Sequence, residues 1–217
     1  MCDVGVVYDQ RAARERSLFV DPERDKERHT PFHRAMQFLS ERHASPAVLY
    51  VGDDDPVPAA RLPRLARLLL PDCDGLTADD RRALADWRAA GGLLATLGRT
   101  PDDLPADARF EEPDDPALAE WMLDAPLTCR CVRGGDGIGF QLRRSDGRLH
   151  LHIIDYALDR GTRTAPTRPE VAFALGWAPR FQRNAGFPRP PGDVELVGRR
   201  LVVREPGIYT VVELSVW

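Results

Sequence analysis

The sequence predicts an α/β fold in two parts: a parallel sheet with helices on both faces over residues 1–125, then an antiparallel β region, a small sandwich or sheet, over residues 126–217. Three observations predict it. The strands of the first half are continuous apolar runs, VGVVY at 4–8, AVLYV at 47–51, LLL at 68–70 and LLATL at 93–97, the pattern of strands buried on both faces. Segments with helical signals lie between those runs, as parallel pairing requires. After Pro126 the helical signals stop, and short strands are punctuated by the turn sequences GGDG, SDG and EPG.

Taken in order, the first strand is followed by a polar, Arg-rich stretch from Asp9 to Arg28. It is long for a loop and is read as mobile or functional. Thr30-Pro31 opens a helix, with Thr as cap and Pro at the first helical position. Its apolar face is Phe32, Ala35, Met36 and Leu39, spaced i, i+3, i+4, i+7. The strand 47–51 ends at GDDDPVP, residues 59–67 suggest a short helix, and the strand 68–70 stops at Pro71-Asp72. Thr77 caps the next helix, with Asp79 and Asp80 in the first turn, where the helix dipole favours negative charge. Leu84 and Trp87 point inward from it, and Gly91-Gly92 ends it. Residues 101–116, rich in Asp and Pro, read as an exposed connection, and 117–123 as a short helix. The second half offers strands at 127–133, 137–143, 148–156, 170–176, 193–197, 200–204 and 208–216. In the last of these, Ile208, Val212, Leu214 and Val216 share one side, and Tyr209, Glu213 and Ser215 the other.

Composition excludes some partners. The chain has 217 residues, is 43% hydrophobic and has a net charge of −4, so a nucleic-acid backbone is not expected as a partner. Lys26 is the sole lysine among 30 basic residues. No apolar run approaches the roughly 20 residues that cross a bilayer, and MCDVGVVYDQ lacks the features of a secretory signal. The expectation is a cytoplasmic protein without a membrane partner, either small in itself or the tail of a longer chain. Cys2, Cys73, Cys129 and Cys131 fit no C-x-x-C zinc pattern. Cys129 and Cys131 would face one way on a single strand, a poor geometry for bonding to each other, so four reduced thiols are expected.

In open parallel sheets, ligands bind at the carboxyl ends of the strands. Those ends bring Tyr8, Asp9, Asp53, Asp72, Arg99 and Thr100 to one edge, and these six are the candidate cleft. Arg99 is suited to hold an anionic or carbonyl group.

The order of elements and the segments LLLPD, DGLTADDRRALADWRAAGG and LLATLGRT resemble class I glutamine-amidotransferase-like domains. These have a flavodoxin-like sheet. The resemblance is closest to the non-catalytic branch found in some glycoside hydrolases, the β-galactosidase trimerisation domain. LHLHIIDY at 149–156 and EPGIYTVVEL at 205–214 resemble the strands that follow it in such hydrolases. Active amidotransferases place a Cys in a glycine-flanked turn after the fourth strand, where a helix N-terminus favours thiolate. The matching place here holds Gly98, Arg99 and Thr100. The resemblance therefore implies a non-catalytic accessory or oligomerisation domain of a carbohydrate-active system, self-associating as a trimer. It implies no cofactor, and carbohydrate is a possible partner.

Other residues also bear on chemistry. Cys73 follows Pro71 without a glycine turn and reads as a half-buried structural thiol. His150 and His152 face one way on a strand and could share an ion; the alternative is two surface histidines. His29 and His33 read as a polar helix start, and Asp53-Asp54-Asp55 as a solvated loop and cap rather than a cation site. No metal is expected. Trp87 and Trp121 read as packing residues, while Trp177 and Trp217 are candidates to stack on sugar. Two rival functions stay open: an enzyme of unknown type using the candidate cleft, and a sugar-binding module using Trp177 or Trp217.

Overall fold

The computed structural model of the chain describes residues 4–17, 31–42, 46–125, 129–156, 168–188 and 190–215. The chain forms two compact units. One comprises residues 2–39 and 46–125; the other comprises 126–217 with the segment 40–45.

In the first unit five parallel strands, β1 (Val4–Asp9), β2 (Ala47–Val51), β3 (Arg67–Pro71), β4 (Leu93–Leu97) and β5 (Ala108–Phe110), lie in the order β2-β1-β3-β4-β5. This is the flavodoxin-like order, in which the direction of winding reverses beside the first strand. The helices are α1 (Gln10–Ser17), α2 (Pro31–Glu41), α3 (Ala78–Ala89) and α4 (Pro116–Leu123). Val7, Leu49, Leu68, Leu70 and Leu94 pack with Leu84 and Trp87 of α3. The alternate residues Val6, Leu69 and Ala95 are equally buried, so the sheet is covered on both faces, as its unbroken apolar runs demand.

Three elements of this unit differ from the sequence expectation. The stretch after Asp9 is helical through Ser17, because Asp9 caps it: Oδ1 accepts from the Arg11 N–H at 3.0 Å and the Ala12 N–H at 3.3 Å. The short helix expected at 59–67 shrinks to a single 3₁₀ turn, Leu62–Arg64. The connection 101–116 contains β5, whose three residues leave too short an apolar run to read. The Thr30 cap lies outside the described residues, but α2 runs as expected and also buries Phe38.

The second unit is a β-sandwich of two four-stranded antiparallel sheets. One has the order β10-β13-β8-β7 and the other β11-β12-β9-β6. The strands are β6 (Cys129–Arg133), β7 (Ile138–Ser145), β8 (Arg148–Asp155), β9 (Glu170–Leu175), β10 (Arg180–Phe187), β11 (Asp193–Val197), β12 (Arg200–Arg204) and β13 (Tyr209–Ser215). Leu149, Leu151, Ile153, Val212 and Leu214 from one sheet meet Val171, Phe173, Leu201 and Val203 from the other. Phe140 and Phe173 meet edge to face across the layer at 5.2 Å. Strand β10 escapes the sequence reading, because RFQRNAGF is largely exposed and has no apolar alternation.

Cys129 and Cys131 do face the same way, toward this core. Burial pushes both thiols up, Cys129 well above the usual range, and Cys73 is fully buried in the first unit. All three should therefore resist an aromatic disulfide reagent in the native chain and react on unfolding. Mass mapping of the label checks this, and native labelling at Cys73 would count against its placement.

Among the described residues no helix is long and apolar enough to cross a membrane, and no group of three or more His, Cys, Asp or Glu could hold a metal ion.

Candidate functional site

The carboxyl edge of the parallel sheet is where chemistry was expected, and the topology does bring the six candidates to that edge. They divide among three local structures there.

The first is an ionic lock. Asp9 is 4% exposed, and besides capping α1 its Oδ2 accepts from the Gly75 N–H at 3.0 Å. Burial raises the Asp9 pKa, although the amides of Ala12, Arg11 and Gly75 and the Arg11 charge work against it. Arg11 donates to Asp80 Oδ2 at 2.8 Å, to the Gly75 carbonyl at 3.2 Å and to the Gly52 carbonyl. It also lies 3.5 Å from Asp53, which is exposed and pairs with Arg14 at 2.8 Å. Asp80 closes the arrangement. Its Oδ1 accepts from the Val57 N–H at 2.8 Å. Its Oδ2 accepts from the Thr77 hydroxyl at 2.7 Å and the Thr77 N–H at 3.0 Å; the second of these, with the Asp80 N–H donating to the Thr77 hydroxyl oxygen at 3.2 Å, forms the capping box of α3. Burial works to raise the Asp80 pKa. The bonds from Val57, the Thr77 hydroxyl, Arg11 and the Thr77 amide outweigh it, and the pKa is lowered.

The second is the turn after β4. Asp72 has φ +48° and accepts from the Arg99 N–H at 2.8 Å. Gly98, at φ +68°, presses against the same carboxylate, where a Cβ would collide with Asp72 Oδ1. Gly98→Ala is expected to cost at least about 1 kcal/mol, from the left-handed backbone and the collision; a urea midpoint unchanged from the parent would refute this. The Arg99 side chain is exposed, and Thr100 is half-buried.

The third is aromatic. Tyr8 meets Phe32 at 4.9 Å, Tyr50 at 5.7 Å and His33 at 6.5 Å, all edge to face.

These surroundings have a chemical consequence. The first turn of α1 lies against the loops after β2 and β3. A Cβ on Gly75 would sit 2.9 Å from both the Ala12 nitrogen and Asp9 Oδ2, and one on Gly52 2.7 Å from Gln10 Oε1. Cys73 is not presented at an elbow: its thiol donates to the Pro71 carbonyl at 3.4 Å. A groove of about 500 Å³ in this unit lies at the opposite end, beside the amino ends of β3 and β4. Leu62, Leu65, Trp87, Gly91 and Gly92 line it.

Sequence reasoning missed Arg11 and understated Asp80. Arg11 lay within a polar stretch with no pattern of its own. Asp80 had a legible signal: Thr77-x-x-Asp80 is a capping box, and a side chain in that role is already turned back toward the loop.

The remaining candidates sit elsewhere. His150 and His152 share the outward face of β8 with ring centroids 6.4 Å apart, and His152 Nδ1 lies 2.6 Å from the Tyr209 hydroxyl. Trp177 packs against the sandwich core. Its indole N–H is buried without a hydrogen-bond partner among the described residues, and the residue as a whole is half-buried. Trp121 stacks beneath the Arg67 guanidinium. His29 and Trp217 lie outside the described residues.

No family model matches the chain, and neither does any curated protein. Solved structures do resemble it. An α-L-fucosidase, isoenzyme 2, from Paenibacillus thiaminolyticus matches with TM-score 0.63 at 11% identity, over 99% of this chain and 48% of the other. A β-galactosidase from Bacillus circulans sp. alkalophilus matches with TM-score 0.59 at 10% identity, over 99% and 41%. A catalytic mutant of Gan42B, a GH42 β-galactosidase from G. stearothermophilus, matches with TM-score 0.53 at 12% identity, over 99% and 40%. At these identities the likeness is one of fold. The chain spans less than half the length of each of these glycoside hydrolases.

Proposed function

We propose that the chain is a non-catalytic accessory domain of a carbohydrate-active, glycoside-hydrolase-like system, serving as a scaffold that self-associates as a trimer. The observation that carries the proposal is the lock of Arg11, Asp9 and Asp80 across the edge where an amidotransferase-like sheet would place its chemistry. Arg99 stands at the nucleophile position, and the nearest thiol, Cys73, is turned into the core. The match of nearly the whole chain to less than half of several glycoside hydrolases supports the same reading.

Light scattering over a concentration series tests it. A particle of three 24.2 kDa chains is expected, and a strict monomer at the highest concentration removes the assembly role. Incubation with glutamine and with aryl galactosides and fucosides should give no turnover. Turnover that Cys73→Ser abolishes would replace the scaffold reading with an enzymatic one.

A further inference from the structure

The outward face of the sheet β10-β13-β8-β7 has a chemistry that the scaffold role does not use. Register places its side chains in rows across the strands. One row runs Arg143, His150, Glu213, Arg183; the next Gln141, His152, Val211, Ala185; the third Gly139, Ile154, Tyr209, Phe187. The third row is an aromatic stripe. Phe187 is 63% exposed and Tyr156 67% exposed. The Tyr156 ring lies over Gly139, where an added Cβ would sit 2.5 Å from it. The Tyr209 ring stacks on His152. The first row is cationic. Glu213 is buried between Arg148 at 2.5 Å and Arg183 at 2.9 Å, so its charge is already countered, while Arg143, Arg148 and Arg183 extend into solvent. The composition of the two parts points the same way. Residues 126–217 contain 14 Arg against 9 Asp and Glu, whereas residues 1–125 contain 16 basic against 25 acidic residues.

We propose that this face binds acidic oligosaccharides, glycans bearing carboxylate or sulfate groups. Guanidinium groups pair with such anions in a planar, two-pronged way, and the exposed faces of Phe187 and Tyr156 offer a flat apolar surface to sugar C–H groups. Along β10 the aromatic row and the arginine row are four residues apart, roughly 13 Å, a span that suits a short oligosaccharide better than a single sugar. The choice of a glycan over another polyanion rests on the accessory-domain reading; the pairing of rings with guanidinium groups on one face does not.

Calorimetric titration of the full chain with oligogalacturonate, a sulfated galactan oligosaccharide and a neutral galacto-oligosaccharide of matched length tests the proposal. Either acidic ligand or both should bind, more weakly as salt rises, with the neutral one at least about tenfold weaker. Arg143→Ala and Phe187→Ala should each weaken the acidic ligand about tenfold. Both positions are exposed, and unchanged thermal unfolding confirms that each variant folds. Equal affinity for the neutral glycan, no binding of either acidic one, or full affinity in both variants overturns it. A fall in particle mass in Phe187→Ala would show the face to be covered by a second copy; that overturns glycan binding but upholds self-association. Acidic-glycan binding by a strict monomer has the converse result.

Discussion

Arg168→Ala is expected to cost the second unit about 3–5 kcal/mol, the penalty for leaving a buried charge without its partner. Arg168 Nε donates to Asp155 Oδ2 at 2.8 Å, and its other nitrogens reach the Gly134 carbonyl at 2.7 Å and the Asp136 carbonyl. The Asp155 side chain is 3% exposed. One guanidinium thus fastens the end of β8, the turn before β7 and the approach to β9. Its removal takes the guanidinium away from a buried carboxylate and two carbonyls together. Arg168→Lys keeps the charge but cannot span the same acceptors, so it should fall between parent and alanine. The double variant Arg168→Met with Asp155→Leu should recover much of the loss, since neither charge is then stranded. Urea unfolding followed by β-sheet circular dichroism measures all three. A loss under about 1 kcal/mol for the alanine variant, within the range of an exposed pair, would mean that the interaction is solvated.

Asp80→Ala should have an effect of similar size in the first unit, about 3–5 kcal/mol. It removes the capping box of α3, worth about 1 kcal/mol, leaves the Val57 N–H without this acceptor, and takes from the largely buried Arg11 guanidinium its buried carboxylate partner, leaving it two carbonyls and the exposed Asp53. The carboxylate also gives the prediction a pH signature. Its pKa is lowered in the folded chain, so its stabilisation is present above the unfolded value near 3.9 and is lost as pH falls through and below it. Asp107, lowered by its bond with Arg88, acts in the same sense. Asp9 acts in the opposite sense: its raised pKa means that the folded state takes up that proton more readily, which offsets part of the loss. The parent should therefore lose stability from about pH 5 downward, most steeply below the unfolded value near 3.9, and Asp80→Asn should show a shallower decline. Urea midpoints collected across that range decide the matter; parallel slopes for parent and variant would show that Asp80 contributes no pH dependence.

The sheet was legible because its strands are unbroken apolar runs, the central ones buried on both sides. Sequences such as LLATL and AVLYV admit few other placements, and β2 and β4 fall where those runs lie. What escaped was held together by polar contacts or by partners distant in sequence. Helix α1 is built of good helix formers but is too polar to show an apolar stripe, and the visible reason for its start is the Asp9 cap. Strand β5 is three residues long, and β10 is a solvent-facing edge strand held mainly by its pairing with β13. The site followed the same division. Topology alone predicts that Tyr8, Asp9, Asp53, Asp72, Arg99 and Thr100 share an edge. Whether that edge is open depends on Arg11 reaching Asp80 across 69 positions, which no local pattern reveals. The indole of Trp177 illustrates the limit in the other direction: in GWAPRF it reads as a ring free to stack on sugar, whereas it is half-buried against the core.

The turn after β4 bears on any attempt to graft hydrolytic activity onto this scaffold. A thiol installed at position 99 would find its own main-chain amide already committed to Asp72. That N–H is one of those an acyl-transfer intermediate would need for its negative oxygen. The acid would have to be removed first, and with it the contact that secures Gly98, so the engineer would be trading a rigid turn for an oxyanion donor before any rate could be gained.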